Sequence, residues 1–518
     1  MNELFWFFIV ALVVTALVYW LLWRPDPFIA GRRVKSFAEA AKEQCAANIK
    51  HVLFGGLRLL WQEVFLNYLL VGGIGSGKTT LLKLLAQQFL VEITPGSDNR
   101  GLVYGPRGDF LSELAGMGLR CPVVTMQPFD IRAAAWDMAA DATTPAIALQ
   151  IATAVIPQDR GGNALFFSNA ATSLVRGVIE TLHHTASGKW TLRDVILAFR
   201  TLDRLRVVLA QSSAHRHLID NYFGSPETGW SILATVQAGM GPFEPIAACW
   251  SKCRAAVSLE HWVRGKMGYV LYLAQDQANR RALDTMNQLI FGRITQLLLS
   301  HPPTNNRHTF MLLDEVREGA FHGLSDLYTR GRAHGVVITA AFQSLDGLKE
   351  AYGDHKALEL AGQNHQLALL RVTDVPTAEW MSKVVGDVKF WRASRSISKE
   401  NTTTWSVVTE PALLPSEFMT LPPTNRKDGL SGYFLSPSLG VWNARLNGPE
   451  LFDRQLKTAN PSVPNFIPRP PEDQRLQDWD TADLMRLNLP PEAQGGSSSG
   501  PGRSSPPGGN GPQLVGKR

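Results

Sequence analysis

Four cysteines in 518 residues, Cys45, Cys121, Cys249 and Cys253, are too few for a disulfide scaffold. Cys249 and Cys253 lie four apart in "CWSKC", but no second ligand pair accompanies them, which argues against a metal site. Repeats of solenoid period are missing as well. Charge bias is slight: 51 Lys and Arg against 45 Asp and Glu leave +6, with a pI near 9.1. That excess leaves an anionic partner (nucleic acid, acidic protein or lipid surface) and ordinary surface variation both open. What is plentiful is apolar residue, 45% of the chain, enough for a sizeable core within two to four domains.

Both ends depart from this average. Residues 4–23, "LFWFFIVALVVTALVYWLLW", carry no charge. At 1.5 Å per residue such a run reaches about 30 Å, enough to cross a bilayer core. No basic stretch precedes it and no small-residue cleavage site follows, so a cleaved signal is disfavoured. Phe5, Trp6 and Phe7 sit near one end, and Tyr19, Trp20 and Trp23 near the other, where aromatic belts belong. Arg24, Arg32, Arg33 and Lys35 all follow the run, which places the rest of the chain in the cytoplasm. The expectation is a single-pass anchor over residues 1–35. A second apolar stretch, "VLFGGLRLLWQEVF", contains Arg58 and Glu63, which argue against another span. From residue 458 the chain turns rich in Pro, Gly and Ser, so residues 458–518 read as a flexible tail.

The most specific signal is "GGIGSGKTT" at residues 72–80, which fits G-x-x-x-x-G-K-[ST] at every fixed position. Gly72, Gly73, Ile74, Gly75, Ser76 and Gly77 would turn backbone N–H groups toward phosphates, with Lys78, Thr79 and Thr80 opening the helix. Lys78 would reach the terminal phosphates and the Thr79 hydroxyl would bind Mg²⁺. Strand-like "NYLLV" precedes the loop and helical "LLKLLAQQFL" follows it, the context such a loop requires.

A phosphate loop calls for a second element, an apolar strand ending in an acid. "TFMLLDEV" provides it: Asp314 for the metal shell and Glu315 to polarise the attacking water. "GVVITAAFQS" is another strand, whose carboxyl end would bring Gln343 beside Asp314 to sense the γ-phosphate or orient water. Between these strands "LSDLYTRGRAHG" carries Arg330 and Arg332. They are either solvated surface residues or arginine fingers for a neighbouring subunit, which would require a ring. The guanine signature N-K-x-D is absent, "NRKD" at residues 425–428 having Arg in the lysine position. The LSGGQ of transporter ATPases is absent too, since "LSGY" follows the Asp-Glu strand and lacks GGQ. ATP with Mg²⁺ is therefore the expected cofactor.

Lys78 and Asp314 stand 236 residues apart, more than one strand–helix–strand unit needs. "GLVYG", "PVVTM" and "GYVLYL" supply strands in that interval, while residues 141–259 are patterned as helices. The expected fold is α/β: a RecA-like P-loop NTPase core, residues 36–140 and 260–457, with an inserted all-helical domain.

This layout, together with "LLDEVREGAFHGLSDLYTRGRAHGVVITAAFQS", resembles the coupling proteins of type IV secretion and bacterial conjugation. "GLVYGPRGDF" resembles that family's strand followed by Lys/Arg-Gly-acid, although Gly105 stands where the family usually has Asp. "ALFFSNAATSLVRGVI" and "GQNHQLALLRVTDVPTAEWMSKVVGD" resemble further segments, so the likeness runs over about residues 71–449. It implies a homo-hexamer on the inner membrane that passes relaxase-bound single-stranded DNA, or protein effectors, to the secretion channel. It also implies nucleotide roles for Lys78, Thr79, Asp314, Glu315 and Gln343, with Arg332 as the finger. A receptor that recruits protein effectors without pumping DNA is the alternative. "KCRAAVSLEHWVRGK" and "NRRALDTMNQLIFGR" would line a DNA channel or simply form solvated helix faces.

Overall fold

The computed structural model describes residues 28–157, 161–396 and 402–494. The chain divides into two compact units, Met1–Asp137 with Lys252–Pro471, and Met138–Ser251 with Glu472–Arg518. Residues 4–23 lie outside the described residues, among which no helix is long and apolar enough to cross a membrane.

The first unit is built on a ten-stranded sheet among the described residues. Its strands are β1 (Val34–Lys35), β2 (Tyr68–Val71), β3 (Arg100–Gly105), β4 (Val123–Thr125), β5 (Val270–Ala274), β6 (Thr309–Leu313), β7 (Val336–Phe342), β8 (Gln366–Leu369), β9 (Leu430–Ser436) and β10 (Gly440–Leu446). Their spatial order is β1-β10-β9-β8-β2-β7-β6-β3-β5-β4. From β8 to β4 every pairing is parallel, and β9 and β10 extend the sheet as an antiparallel hairpin. Parallel strands are covered on both faces, so they read as unbroken apolar runs rather than alternating ones. Accordingly "YLLV", "TFMLL" and "VVITAAF" are buried at every position.

The position of β7 matters most. It lies between β2 and β6, with Phe342 beside Val71 and Ala340 beside Leu313. The carboxyl ends of all three strands therefore open onto one edge of the sheet, where ligands collect in such folds. Below that edge, helix α1 (Lys78–Phe89) buries Leu81, Leu82, Leu85 and Phe89 against the sheet. "VLFGGLRLLWQEVF" begins inside a hairpin of His51–Phe54 and Leu57–Leu60, turned by Gly55 and Gly56 at φ 55° and 80°, and ends in the short helix Trp61–Phe65. Both central residues at positive φ is the requirement of the tightest hairpin turn, which two glycines meet without strain. Phe54 from this hairpin packs edge-on against Tyr68 and Phe434, at 5.4 and 5.2 Å. A separate three-stranded antiparallel sheet joins Phe28–Gly31, Asp387–Ser396 and Thr402–Pro411.

The second unit is helical. Its central helix Gly162–Thr185 buries Leu174, Val175, Val178, Ile179 and Leu182, and Pro145–Val155, Leu202–Ala210 and Pro226–Met240 pack around it. Residues 252–259, expected in the insertion, belong to the first unit: Ala256–Val257 pairs in parallel with Ala135–Trp136 in a two-stranded ladder of its own.

The expected flexible tail is corrected over residues 458–494. Residues 458–469 run along the first unit, with Asn460 N–H on Ser112 O and Arg469 N–H on Phe129 O, at 2.8 and 2.9 Å. In the second unit Trp479 is 2% exposed and the helix Thr481–Leu487 buries Leu484 and Leu487. Trp479 Nε1 and both Arg486 terminal nitrogens donate to the carboxylate of Asp194, which is fully buried. Sparse apolar residues suffice here because Trp479 is seated beside the satisfied Asp194–Arg486 ion pair, and composition averaged over the whole tail hides so short a segment.

Candidate nucleotide-binding site

The loop leaving β2 turns sharply before α1. Gly75 and Gly77 sit at φ 71° and 96°, in the left-handed region. At Gly77 a Cβ would come within 2.6 Å of Thr424 Oγ1, so both the backbone and the neighbour demand glycine. The first turn of α1 holds no acidic residue, and Gly77 at its N-cap has no side chain to cap it. Its N–H groups are left open toward the loop, an anion site built from backbone alone. Ser76 Oγ, buried in the same loop, has no hydrogen-bond partner among the described residues. Together with Lys78, Thr79, Thr80 and the exposed Ile74, these groups line a cleft of about 370 Å³. An orphaned hydroxyl and the start of a helix with no side-chain cap, around a cation, are the donor set that a phosphate chain fits.

Lys78 is buried, and its Nζ donates to the carbonyl oxygens of Gly72 and Gly73. Burial lowers its pKa, while Glu315 and Asp314 oppose that shift. Thr79 Oγ1 donates to Asp314 Oδ2 at 3.2 Å, so the two residues expected around Mg²⁺ already touch. Asp314 and Glu315 follow the end of β6 and are 7% and 8% exposed. Burial raises the pKa of both carboxyls, and Lys78 pulls each back down. Neither Glu315 oxygen has a hydrogen-bond partner among the described residues, though the nearby Gln343 amide also lowers its pKa. Glu315 itself sits at φ 67°, ψ 75°. A non-glycine residue held in this region stores about 1–3 kcal/mol of strain, a pattern concentrated at functional sites.

Gln343 follows β7 and lines the same cleft. Arg332 does not join it. It is exposed in the turn Gly331–His334, at the opposite end of β7 from Gln343, roughly seven strand residues or 23 Å away. Arg330 pairs with Asp326 at the surface. Of the basic residues in the two candidate channel stretches, Arg280 is committed to Asp284 and Glu318, and the buried Arg293 to Glu260. Arg281, Lys252, Arg254 and Lys266 are exposed.

Three contributors escaped sequence reasoning. Arg107 lines the cleft and acts on both Lys78 and Asp314. It stands just past β3, so the sheet order brings it in, and the "PRGD" segment was the available signal. Thr424 clamps the loop, its N–H on Gly75 O at 2.9 Å and its Oγ1 on Ser76 O at 2.8 Å. The third is Arg426, on the cleft rim. At Gly105 a Cβ would meet the Tyr272 hydroxyl at 3.2 Å, so a larger side chain there would displace that ring.

A parallel sheet with a glycine-rich loop opposite an Asp-Glu pair defines a P-loop nucleotide-binding protein of the NTPase type. Within that class the chain belongs to the type IV secretion-system coupling protein DNA-binding domain family, which matches residues 51–434. The conjugal transfer protein TraG of Agrobacterium fabrum (strain C58 / ATCC 33970) is 28% identical over 122 residues, 23% of this chain and 18% of the relative. TraG of Rhizobium radiobacter is 28% identical over 119 residues, 23% and 19% of the two chains. The match thus spans about a fifth of these curated relatives' length. Among solved structures, the unbound conjugative coupling protein TrwBdeltaN70 is similar with a TM-score of 0.67 at 21% identity, over 85% of this chain and 96% of that one. TrwB in complex with ADP and Mg²⁺ gives 0.65 at 21% identity, over 85% and 98%. At this identity the likeness concerns the fold.

Proposed function

We propose that this protein is an inner-membrane ATPase that couples relaxase-bound single-stranded DNA to a type IV secretion channel and drives its transfer in conjugation. The observation that carries this reading is the convergence of Lys78, Thr79, Asp314, Glu315 and Gln343 on one edge of the sheet, in a chain of the coupling-protein family. ATP with Mg²⁺ supplies the bond whose hydrolysis drives transfer, and TrwB in complex with ADP and Mg²⁺ supports that cofactor. The residues divide the remaining work. The N–H groups of residues 72–80 hold phosphate, and Lys78 exchanges the carbonyls of Gly72 and Gly73 for it. Thr79 and Asp314 would hold Mg²⁺. Glu315, its basicity raised by burial, takes the proton of the attacking water, which Gln343 orients.

A family described by DNA binding supports DNA as cargo over protein effectors. The apolar run at residues 4–23 supports a single-pass anchor with the bulk of the chain cytoplasmic. The distance of Arg332 from its own cleft supports a finger acting in a neighbouring subunit of a hexamer, rather than in cis.

The test is ATP turnover by the full chain in nanodiscs, with and without single-stranded DNA, beside a Lys78→Ala control. The variant is expected to lose turnover by orders of magnitude, because positioning and charge stabilisation carry this chemistry. DNA is expected to raise wild-type turnover, with the rise falling as salt increases. Turnover indifferent to DNA at every protein concentration would instead favour the protein-effector receptor.

A further inference from the structure

The three-stranded sheet has a face that no part of the described chain covers. Directly opposed residues of an antiparallel pair share a face, and alternate residues along a strand do too. Trp391 is opposite Val407 and Lys389 opposite Thr409, and Trp405 lies two residues before Val407 on the same strand. All five therefore project from one side. Trp391, Trp405 and Val407 are 44, 57 and 51% exposed. The other side is occupied differently: Arg392 bonds Glu410 at 2.7 Å and lies over the Phe390 ring. Clustered exposed aromatics on one face mark an interaction surface.

The chain itself says what that surface meets. The apolar run ends at Trp23, and only four residues separate it from Phe28, the first residue of the sheet's edge strand. Five residue steps, fully extended, reach at most about 18 Å. The sheet is thus tied within that distance of the end of the run. Arg32, whose N–H bonds Asp387 O at 3.1 Å, is exposed beside it, as are Arg33 and Lys389. Tryptophan with lysine and arginine is the composition that settles at the headgroup level of an anionic bilayer.

We propose that the Trp391–Trp405–Val407 face rests in the headgroup layer of the membrane, as a second attachment beside the N-terminal anchor. This rests on the reading of residues 4–23 as a membrane span. The attachment has a mechanical consequence for the nucleotide unit. The helix Val375–Val385 links β8, neighbour of the phosphate-loop strand, directly to Asp387–Ser396. A sheet seated on the membrane therefore restrains swivelling about the tether and sets the angle at which the nucleotide edge is held.

The experiment uses the full chain in vesicles of phosphatidylglycerol and phosphatidylcholine, with and without bromine at a shallow acyl position. Wild type is compared with Trp391→Phe/Trp405→Phe and with Trp20→Phe/Trp23→Phe. Emission contributed by Trp391 and Trp405 is expected to be quenched by the brominated lipid, so wild type dims by a larger fraction than the sheet variant. If that contribution is the same in both lipids while that of Trp20 and Trp23 is quenched, the anchor reading stands and this proposal falls. The face would then belong to a protein partner or a second copy. If neither contribution is quenched, the anchor reading fails and takes the proposal with it. Phenylalanine keeps an apolar ring at exposed strand positions, so the variants retain the sheet.

Discussion

Thr79 Oγ1 hydrogen-bonds Asp314 Oδ2 across 235 residues of chain, and this contact joins the phosphate loop to the strand that carries the acid pair. Strand β7 lies between β2 and β6, so the two residues meet above it rather than through adjacent strands.

Replacing Asp314 with Asn keeps the shape and removes the charge. Turnover is expected to fall by about 10²–10³-fold, the scale of losing one preorganised electrostatic contact. The Mg²⁺ concentration for half-maximal rate should rise, while nucleotide binding without metal changes little. A Mg²⁺ titration of turnover beside equilibrium nucleotide binding checks this, and an unchanged Mg²⁺ requirement would remove Asp314 from the metal shell.

Glu315→Gln tests the base. Loss of general-base help is worth about 10²–10⁴-fold, and here it should appear in single-turnover hydrolysis with nucleotide affinity preserved. Equal losses in binding and hydrolysis would mean that Glu315 shapes the cleft instead of acting on water.

The C-terminal segment should be structural in the helical unit. Trp479→Ala removes a 2% exposed indole that donates to Asp194 and stacks under Arg204 at 4.9 Å. A cost of about 3–5 kcal/mol is expected from burying a cavity of that size. Urea unfolding followed by protease sensitivity within residues 138–251 reads it, and a shift below about 1 kcal/mol, the scale of exposed substitutions, would contradict the packing.

Asp483 sets an acid limit for the same unit. Burial pushes its carboxyl pKa up, but hydrogen bonds from Arg193 and Arg486 outweigh this and hold it well below the usual carboxylate range. A carboxyl with a depressed folded pKa contributes stability that is complete above its unfolded value, about 3.9, and is lost as pH falls toward the folded value. Urea midpoints of the helical unit should therefore decline below pH 4, and less steeply in Asp483→Asn. Parallel declines in the two proteins would assign the acid limb elsewhere.

The loop, the acid pair and the parallel strands are legible because each is encoded locally, as fixed spacings or as an unbroken apolar run like "VVITAAF". Arg107, Thr424 and the left-handed backbone at Glu315 are not, because each depends on sheet order or on a contact hundreds of residues distant. Trp479, Leu484 and Leu487 were masked by a different effect, a Pro- and Gly-rich surrounding that dilutes a short anchored segment. The acid pair Asp480 and Asp483, which caps the helix Thr481–Leu487 reciprocally, was the one local sign of order there.

Because the helical unit closes with residues 472–494, it is assembled from two lengths of chain made at different times. Synthesis proceeds at about 5–20 residues per second, so roughly 240 residues and some 12–50 s separate Ser251 from Gln494. During that interval Asp194 has neither Trp479 nor Arg486, and the whole sheet is translated before its helical companion can be completed. The order of emergence from the ribosome thus makes the helical unit the last part of the protein to be completed, and the part most exposed to proteases in a prematurely terminated polypeptide.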